Sequence, residues 1–203
     1  MKTNNIYITD FDYKELIKYK IEYLNQEERD KANSFYHPID KKNYQLSHIY
    51  LREILSQNYP EVSPDRWIFK YNRYGKPCIA NKEYSHIKFN ISHTNTHFAM
   101  IISDRECGID IEKNKIQIDN NILNLILTQR ERELKRDKRI SFYTFWTLKE
   151  AYLKAIGKGF FVSPHDIEFL SIKERQEFNF RGYNCFTQKV KSNLYLSYVV
   201  QGA

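Results

Sequence analysis

GIDIE, at residues 108–112, alternates apolar and acidic side chains after an initial glycine. Side chains of a strand point to opposite faces in turn, so the two isoleucines share one face and the two acids, Asp110 and Glu112, share the other. An acidic outer face on a half-buried strand is the ordinary explanation of this pattern. A cation site is the alternative, because adjacent carboxylates repel each other unless water or a cation screens them.

A second informative stretch is FWTLKEAYLKA, at residues 145–155. Helical spacing places Glu150 and Lys154 one turn apart on a shared face, and on an exposed helix such a pair contributes only about 0.3–0.5 kcal/mol. Here apolar residues surround most of the helix, so we expect the carboxylate to be largely buried and to need a partner. If this helix meets the 108–112 strand, three carboxylates and an ammonium converge. That donor set suits Mg²⁺ holding a phosphorylated substrate.

Composition limits the protein class. The 203 residues are 41% hydrophobic and 15% aromatic, which allows a substantial core in one domain or two small ones. The sequence has no apolar run of signal-peptide length, and no segment approaches the ~20 apolar residues of a membrane span. Three cysteines without metal-ligand spacing favour a reduced, cytoplasmic protein. A net charge of +7 suits an anionic partner, but its lysines and arginines are dispersed, so we predict neither nucleic-acid nor membrane binding.

Segment patterns predict an α+β fold of two similar lobes with a cleft between them. For the N-terminal lobe, residues 1–103, the predicted elements are strands at 6–11, 67–71, 87–91 and 98–102, a helix opened by an Asn25–Glu28 capping box and a helix over 40–59. For the C-terminal lobe, residues 104–203, they are the acidic strand, a polar loop over 113–121, a Thr128–Glu131 capping box, a helix over 140–156 and strands at 167–170, 178–180, 185–190 and 194–200.

Three further segments carry polar groups that have ordinary explanations. FNISH, at residues 89–93, ends a predicted strand in a serine and a histidine, and a lone histidine in such a place is more often structural. GKP at 75–77 fits a hairpin turn, and GKG at 157–159 fits a helix stop. The other histidines lack the spacing of zinc ligands. Cys107 lies beside the acidic strand, but no acid–base partner can be named that would make it a nucleophile.

Taken in order, these segments resemble the 4'-phosphopantetheinyl transferases, in particular the longer bacterial subtype that activates peptide synthetases such as surfactin synthetase. The ordered set is specific, whereas each piece alone is a weak signal. The motifs that carry the resemblance are GKP at 75–77, FNISH at 89–93, GIDIE at 108–112, FWxxKEAxxKA at 145–155 and GKG at 157–159, with Phe35-Tyr36-His37 upstream.

The resemblance implies a pseudo-dimeric monomer whose two lobes bind coenzyme A in the cleft between them. By motif position the metal ligands, for Mg²⁺ or alternatively Mn²⁺, are Asp110, Glu112 and Glu150. Lys154 matches the lysine near the pyrophosphate, and Lys149 is its neighbour in the same motif. The other coenzyme A contacts implied are Ser92 and His93 at the nucleotide and its phosphates, Gly75, Lys76 and Pro77 beside the adenine, and Lys31 near the 3'-phosphate.

The activity implied is transfer of 4'-phosphopantetheine to a serine of an acidic apo carrier protein, in peptide, polyketide or fatty-acid synthesis, with release of 3',5'-adenosine bisphosphate. Glu150, Lys154 and Asp110 are then the catalytic residues. This chain departs from the family by having Asn43 and Tyr44 where a basic residue and a threonine are usual, so Lys41 or Lys42 are alternatives to Lys31. From the residues alone, a magnesium-dependent nucleotide phosphohydrolase and a non-enzymatic basic binding module stay open.

Overall fold

The computed structural model describes residues 4–14, 20–114, 117–137, 140–158 and 161–202. Within these ranges, five α-helices and nine strands are formed, and no helix is long and apolar enough to cross a membrane. The helices are α1 (Gln26–Asn33), α2 (Pro38–Asn58), α3 (Asn120–Ile126), α4 (Gln129–Asp137) and α5 (Phe142–Ile156). The strands are β1 (Asn5–Asp10), β2 (Phe69–Tyr71), β3 (Pro77–Ile79), β4 (Lys88–His93), β5 (His97–Ser103), β6 (Cys107–Lys113), β7 (Phe178–Phe180), β8 (Tyr183–Lys191) and β9 (Leu194–Gln201).

The strands form two larger antiparallel sheets and a separate β2–β3 hairpin. The first sheet has the order β1-β5-β4 and the second the order β6-β9-β8-β7. In both sheets, the first strand in sequence pairs with the second strand of a later hairpin, and helices lie between them along the chain. The halves therefore share one topology, which confirms the predicted two-lobed α+β fold. β5 ends at Ser103 and β6 begins at Cys107, while the lobe boundary at residue 103 stays a prediction.

Three apolar clusters hold this fold together. One packs α2 on the first sheet, and a second surrounds α5 in the C-terminal lobe. The third joins the lobes, because Ala99 and Ile101 of β5 pack with Ile109 and Ile111 of β6 and with Leu196 of β9. The isoleucines of GIDIE are at most 1% exposed. The apolar face of this strand is thus the seam between the lobes, and its acidic face is turned the other way.

Helix boundaries follow the predicted signals closely. Both capping boxes are formed: Glu28 N donates to Asn25 Oδ1 (2.9 Å), and Thr128 N donates to the Glu131 carboxylate (2.9 Å). Pro38 begins α2 in its first turn, where the N–H that proline lacks would have no helical partner. Gly157, with φ of +65°, ends α5 in the left-handed conformation that favours glycine.

Two regions differ from the prediction. Residues 167–170 form no strand, because the Phe169 N–H donates to Glu131 Oε1 (2.8 Å) instead of to a neighbouring strand. The loop predicted over 113–121 includes residues 115–116, which lie outside the described ranges, and α3 begins at its end, with Asp119 accepting a hydrogen bond from Asn121 N (2.7 Å). Gly159 of the GKG segment also lies outside the described residues.

Candidate functional site

The acidic strand and α5 meet at Gly108. A Cβ added to this glycine would lie 2.0 Å from the Ala151 carbonyl oxygen and 2.5 Å from the Ala155 nitrogen. Both are backbone atoms of α5, so no change of rotamer could relieve the clash. Glycine therefore lets β6 lie directly on α5, which brings the carboxylates of the strand to those of the helix.

Asp110 is the buried centre of the site, with 4% of its surface exposed. Its Oδ1 accepts hydrogen bonds from Lys154 Nζ (2.6 Å) and Ser92 Oγ (2.9 Å). Ser92 belongs to β4 in the first sheet and Lys154 to α5, so donors from both lobes meet on one oxygen. The second oxygen, Oδ2, is buried without a hydrogen-bond partner.

Glu150 lies one helical turn before Lys154, and its Oε1 is likewise buried without a hydrogen-bond partner. Burial, together with the negative charges of Asp110 and Glu112, raises the pKa of Glu150 to about 7 against the opposing charge of Lys154. Unpaired carboxylate oxygens that repel each other are stabilised by a cation between them. Oxygen ligands of this kind fit a hard divalent ion such as Mg²⁺.

Glu112 takes a different position from the other two acids. Its Oε1 accepts a hydrogen bond from the indole Nε1 of Trp146 on α5, at 3.2 Å. Across the described ranges, no three His, Cys, Asp or Glu side chains are grouped as a metal site. The expected convergence of three carboxylates is thus present in part: Asp110 and Glu150 have unpaired oxygens, and Glu112 would join a cation site by exchanging its bond with the indole.

Two cavities lie side by side, and Pro77 and Ile91 are part of the wall of both. The larger is lined by residues of the N-terminal lobe, whereas the smaller is also lined by Lys154 and Gly157 of the C-terminal lobe. The shared residues join the cavities into one groove, which ends at Lys154. The larger cavity, of about 480 Å³, is also lined by Asn25, Glu27, Glu28, Lys31, Tyr44, His48, Leu51, Phe69 and Tyr71. The smaller, of about 220 Å³, is also lined by Tyr74, Gly75, Lys76, Asn90, Lys154 and Gly157.

Aromatic rings form much of the larger cavity, and the Tyr44 and His48 rings are in contact, tilted by 31° with their centroids 4.2 Å apart. Tyr44 therefore faces the groove, whereas Asn43 does not contribute to it: its side chain is 2% exposed, accepts from the Tyr13 hydroxyl (2.6 Å) and donates to Asn95 Oδ1 (3.0 Å). Flat aromatic faces beside a lysine, Lys31, suit a planar, anionic ligand. Lys41 and Lys42 are not in the described lining of either cavity.

Lys149 is not part of the groove. Its side chain is fully buried, and its Nζ donates to Glu131 Oε2 (2.6 Å) and to the carbonyls of Ile126 (2.7 Å) and Pro164 (3.0 Å). Adjacent helical positions are about 100° apart, so this lysine cannot share the face of Glu150 and Lys154. The structure thus gives Lys149 no contact with a ligand in the groove, contrary to what the motif implied.

The remaining predicted residues divide between the groove and its support. Ser92 is buried, and its Oγ also accepts from Ile111 N (3.3 Å), so it orients the acidic strand, whereas His93 is exposed at the end of β4. Lys76 lines the smaller cavity, but its ammonium is bonded to protein acceptors. Burial raises the pKa of Cys107 to about 12, which keeps it a thiol and removes it as a nucleophile.

Two supporting residues were missed from the sequence. Asn90 Oδ1 accepts from Ile109 N (2.9 Å), and Trp146 holds Glu112. Asn90 and Ser92 are two residues apart on β4, so their side chains point to the same face and bond the β6 backbone together. A polar pair with a period of two inside an apolar strand was the available signal.

Two family models match this chain, one over each half. A family model described as 4'-phosphopantetheinyl transferase superfamily matches residues 106–199, and one described as 4'-phosphopantetheinyl transferase, N-terminal, matches residues 13–106. The chain is 32% identical over 142 residues to 4'-phosphopantetheinyl transferase Sfp of Bacillus subtilis (strain 168), which is 68% of this chain and 62% of that protein. It is 34% identical over 144 residues to 4'-phosphopantetheinyl transferase HetI of Nostoc sp. (67% and 60%).

A more distant similarity extends to a vertebrate protein. The L-aminoadipate-semialdehyde dehydrogenase-phosphopantetheinyl transferase of Xenopus laevis is 27% identical over 162 residues, 72% of this chain and 53% of that protein. The matched segment spans about three fifths of the length of the Sfp and HetI proteins.

Proposed function

Because the chain belongs to the 4'-phosphopantetheinyl transferase superfamily, two models of which together match residues 13–199, we propose that it transfers 4'-phosphopantetheine from coenzyme A to a serine of an apo carrier protein. The observation that carries the proposal is the pair of unpaired, buried oxygens, Asp110 Oδ2 and Glu150 Oε1, beside Lys154 at the end of a two-part groove. A cation and an anionic pyrophosphate together satisfy all three groups.

The groove supports coenzyme A as the donor substrate. Lys31 and the aromatic wall suit the nucleotide, while Gly75 and Pro77 line the path towards Lys154. Asp110, Glu112 and Glu150 are the residues that would hold magnesium, or manganese in its place. When bound, such an ion neutralises charge on a pyrophosphate and so favours phosphoryl transfer.

The residues of the chain then have distinct roles. The carrier serine Oγ attacks the β-phosphorus of coenzyme A, and the bond from this phosphorus to the bridging oxygen breaks, which releases 3',5'-adenosine bisphosphate. The serine proton passes to Glu150, or to a water held by Glu150 or Glu112. Lys154 neutralises charge on the leaving phosphate, and Asp110 and Ser92 hold Lys154 and the strand in register. The net charge of +7 favours encounter with an acidic carrier.

Intact mass spectrometry of an apo carrier domain tests the proposal. Mixed with this protein, coenzyme A and Mg²⁺, the carrier should gain the mass of one phosphopantetheine group, and a chelator should abolish the gain. The same mixture without carrier separates the alternatives, since hydrolysis of coenzyme A would indicate a phosphohydrolase. Absence of any magnesium-dependent affinity for coenzyme A would leave only a non-enzymatic binding module.

Substitution of the central acids tests the assigned site. We expect Asp110→Asn and Glu150→Gln each to lower the transfer rate by at least ~10², the order that follows loss of a metal ligand or an acid–base group. Glu112→Gln should cost less, because Glu112 already has a partner in Trp146. Near wild-type rates for the first two variants would refute the site.

A further inference from the structure

We propose that Lys76 is a positioning residue that docks the β2–β3 hairpin, which supplies Pro77 to the shared wall of the groove, on the C-terminal lobe, and that its ammonium does not bind the ligand. Its Nζ donates to Glu106 Oε2 (2.9 Å), the Cys107 carbonyl (3.1 Å) and the Ala155 carbonyl (3.2 Å). The inference deepens the proposed function and rests on it for its kinetic effects.

The donor capacity of this ammonium is used up by the protein. A lysine ammonium has three protons and no acceptor, and three acceptors lie within 3.2 Å of Lys76 Nζ. Its side chain is 14% exposed, although the residue lines the smaller cavity. Lys76 could contact a phosphate only by giving up bonds to the other lobe, so the part of Lys76 that a ligand meets is its stem and backbone.

Two of the three acceptors belong to the elements that carry the candidate site, and Glu106 directly precedes β6. Cys107 begins β6, three residues before Asp110, and Ala155 follows Lys154 in the last turn of α5. A cation at the carbonyl end of a helix is favoured by the helix dipole. The Lys76 ammonium therefore bonds the β2–β3 hairpin to both the acidic strand and the helix of Glu150.

Asn72, at the other end of the same turn, attaches the hairpin to the end of α5 as well. Its Nδ2 donates to the Gly157 carbonyl (3.1 Å), just beyond α5. Its Oδ1 accepts from the backbone nitrogens of Tyr74 and Lys76, both at 2.9 Å. The turn is thus closed on itself and bonded to Ala155 in the last turn of α5 and to Gly157 just beyond it, which anchors Pro77 to the helix that carries Lys154.

A double-mutant cycle between Lys76 and Glu106 tests this role. We expect Lys76→Met to lower kcat/KM for coenzyme A by roughly tenfold, mostly through KM, and Glu106→Gln to change it in the same direction. In the double variant, kcat/KM should fall by less than the product of the two single-variant factors, because both changes break the same contact. Lys88→Met is the matched control: Lys88 also pairs with Glu106 (3.3 Å) but is 35% exposed, and its loss should change kcat/KM by less than about twofold.

A direct ligand contact predicts the opposite pattern. Glu106→Gln would then free the ammonium and leave the affinity for coenzyme A unchanged or improved, and Lys76→Met would cost the same factor in both backgrounds. That pattern would overturn the inference.

Amide hydrogen exchange tests the docking without any substrate. In Lys76→Met we expect faster exchange over residues 69–79 and at the end of α5 than in the wild type or in Lys88→Met. Unchanged amide exchange in both segments would refute the inference, even if the protein transfers phosphopantetheine. Faster exchange in a chain that transfers nothing would support it and refute the proposed function instead.

Discussion

Glu150 has an environment that favours its neutral form, although a metal ligand or base must be ionised. The pKa of about 7 follows from burial and from Asp110 and Glu112. Its folded-state pKa is above the ordinary value of about 4.3, so the folded chain keeps a proton that the unfolded chain has already lost. The contribution of Glu150 to the free energy of unfolding is fully present below about pH 4 and is lost as the pH rises towards 7.

Glu150→Gln should therefore stabilise the metal-free protein at pH values where folding of the wild type must bury Glu150 as an ionised carboxylate. In a chelator, we expect a higher melting temperature than wild type at pH 8 and a smaller difference at pH 5, measured by scanning calorimetry. Addition of Mg²⁺ should narrow the difference at pH 8, because the ion stabilises only the carboxylate. Equal melting temperatures at pH 8 would show that Glu150 is not under electrostatic stress.

Substitution of Lys149 should destabilise the protein, in contrast to the substitution of Glu150. Glu131 is fully buried and accepts from Lys149 Nζ as well as from Thr128 N and Phe169 N. Lys149→Met leaves that carboxylate without its cation, which should cost about 3–5 kcal/mol of unfolding free energy in urea. Combining it with Glu131→Gln should recover part of the loss, and a cost below about 1 kcal/mol for the single change would contradict the buried pair.

At the scale of elements, the site depends on how closely β6 lies on α5. Gly108→Ala places a Cβ against two α5 backbone atoms, so we expect a loss of more than about 3 kcal/mol together with most of the transfer activity. Gly182→Ala is the matched control, because its Cβ meets nothing within 4 Å and only its φ of +80° is strained. That control should cost about 1 kcal/mol and keep activity, and equal effects of the two alanines would exclude the close approach as the cause.

Local signals predicted the elements well and the long-range contacts poorly. The capping boxes at Asn25 and Thr128 and the stop at Gly157 were readable because each motif satisfies its own backbone groups. Residues 167–170 were misread as a strand, because a hydrogen bond from Phe169 to a side chain 38 residues away leaves no local pattern. For the same reason the sequence alone gave no sign that Lys76 and Lys149 are bonded within the protein.

At the scale of the whole molecule, the cluster between the lobes joins two cores that could otherwise melt separately. Each lobe contains one tryptophan, Trp67 in the first and Trp146 in the second, and the chain has two in all. Because β5 and β6 pack through Ala99, Ile101 and Ile109, we expect the lobes to unfold together.

Two single-tryptophan variants test this cooperativity. In Trp67→Phe the fluorescence reports the C-terminal lobe, and in Trp146→Phe it reports the N-terminal lobe. Within each variant, the urea midpoint from fluorescence should coincide with the midpoint from far-UV circular dichroism. Separate midpoints would mean that the seam does not couple the lobes.

The hydrogen bonds on Asp110 Oδ1 have a consequence for turnover. One donor, Ser92, comes from the N-terminal lobe and the other, Lys154, from the C-terminal helix. Asp110 and Lys154 belong to the same lobe, so a parting of the lobes would remove only the Ser92 hydrogen bond from this carboxylate. Opening of the cleft between the lobes and release of the Asp110 carboxylate from its Ser92 partner would then be one movement.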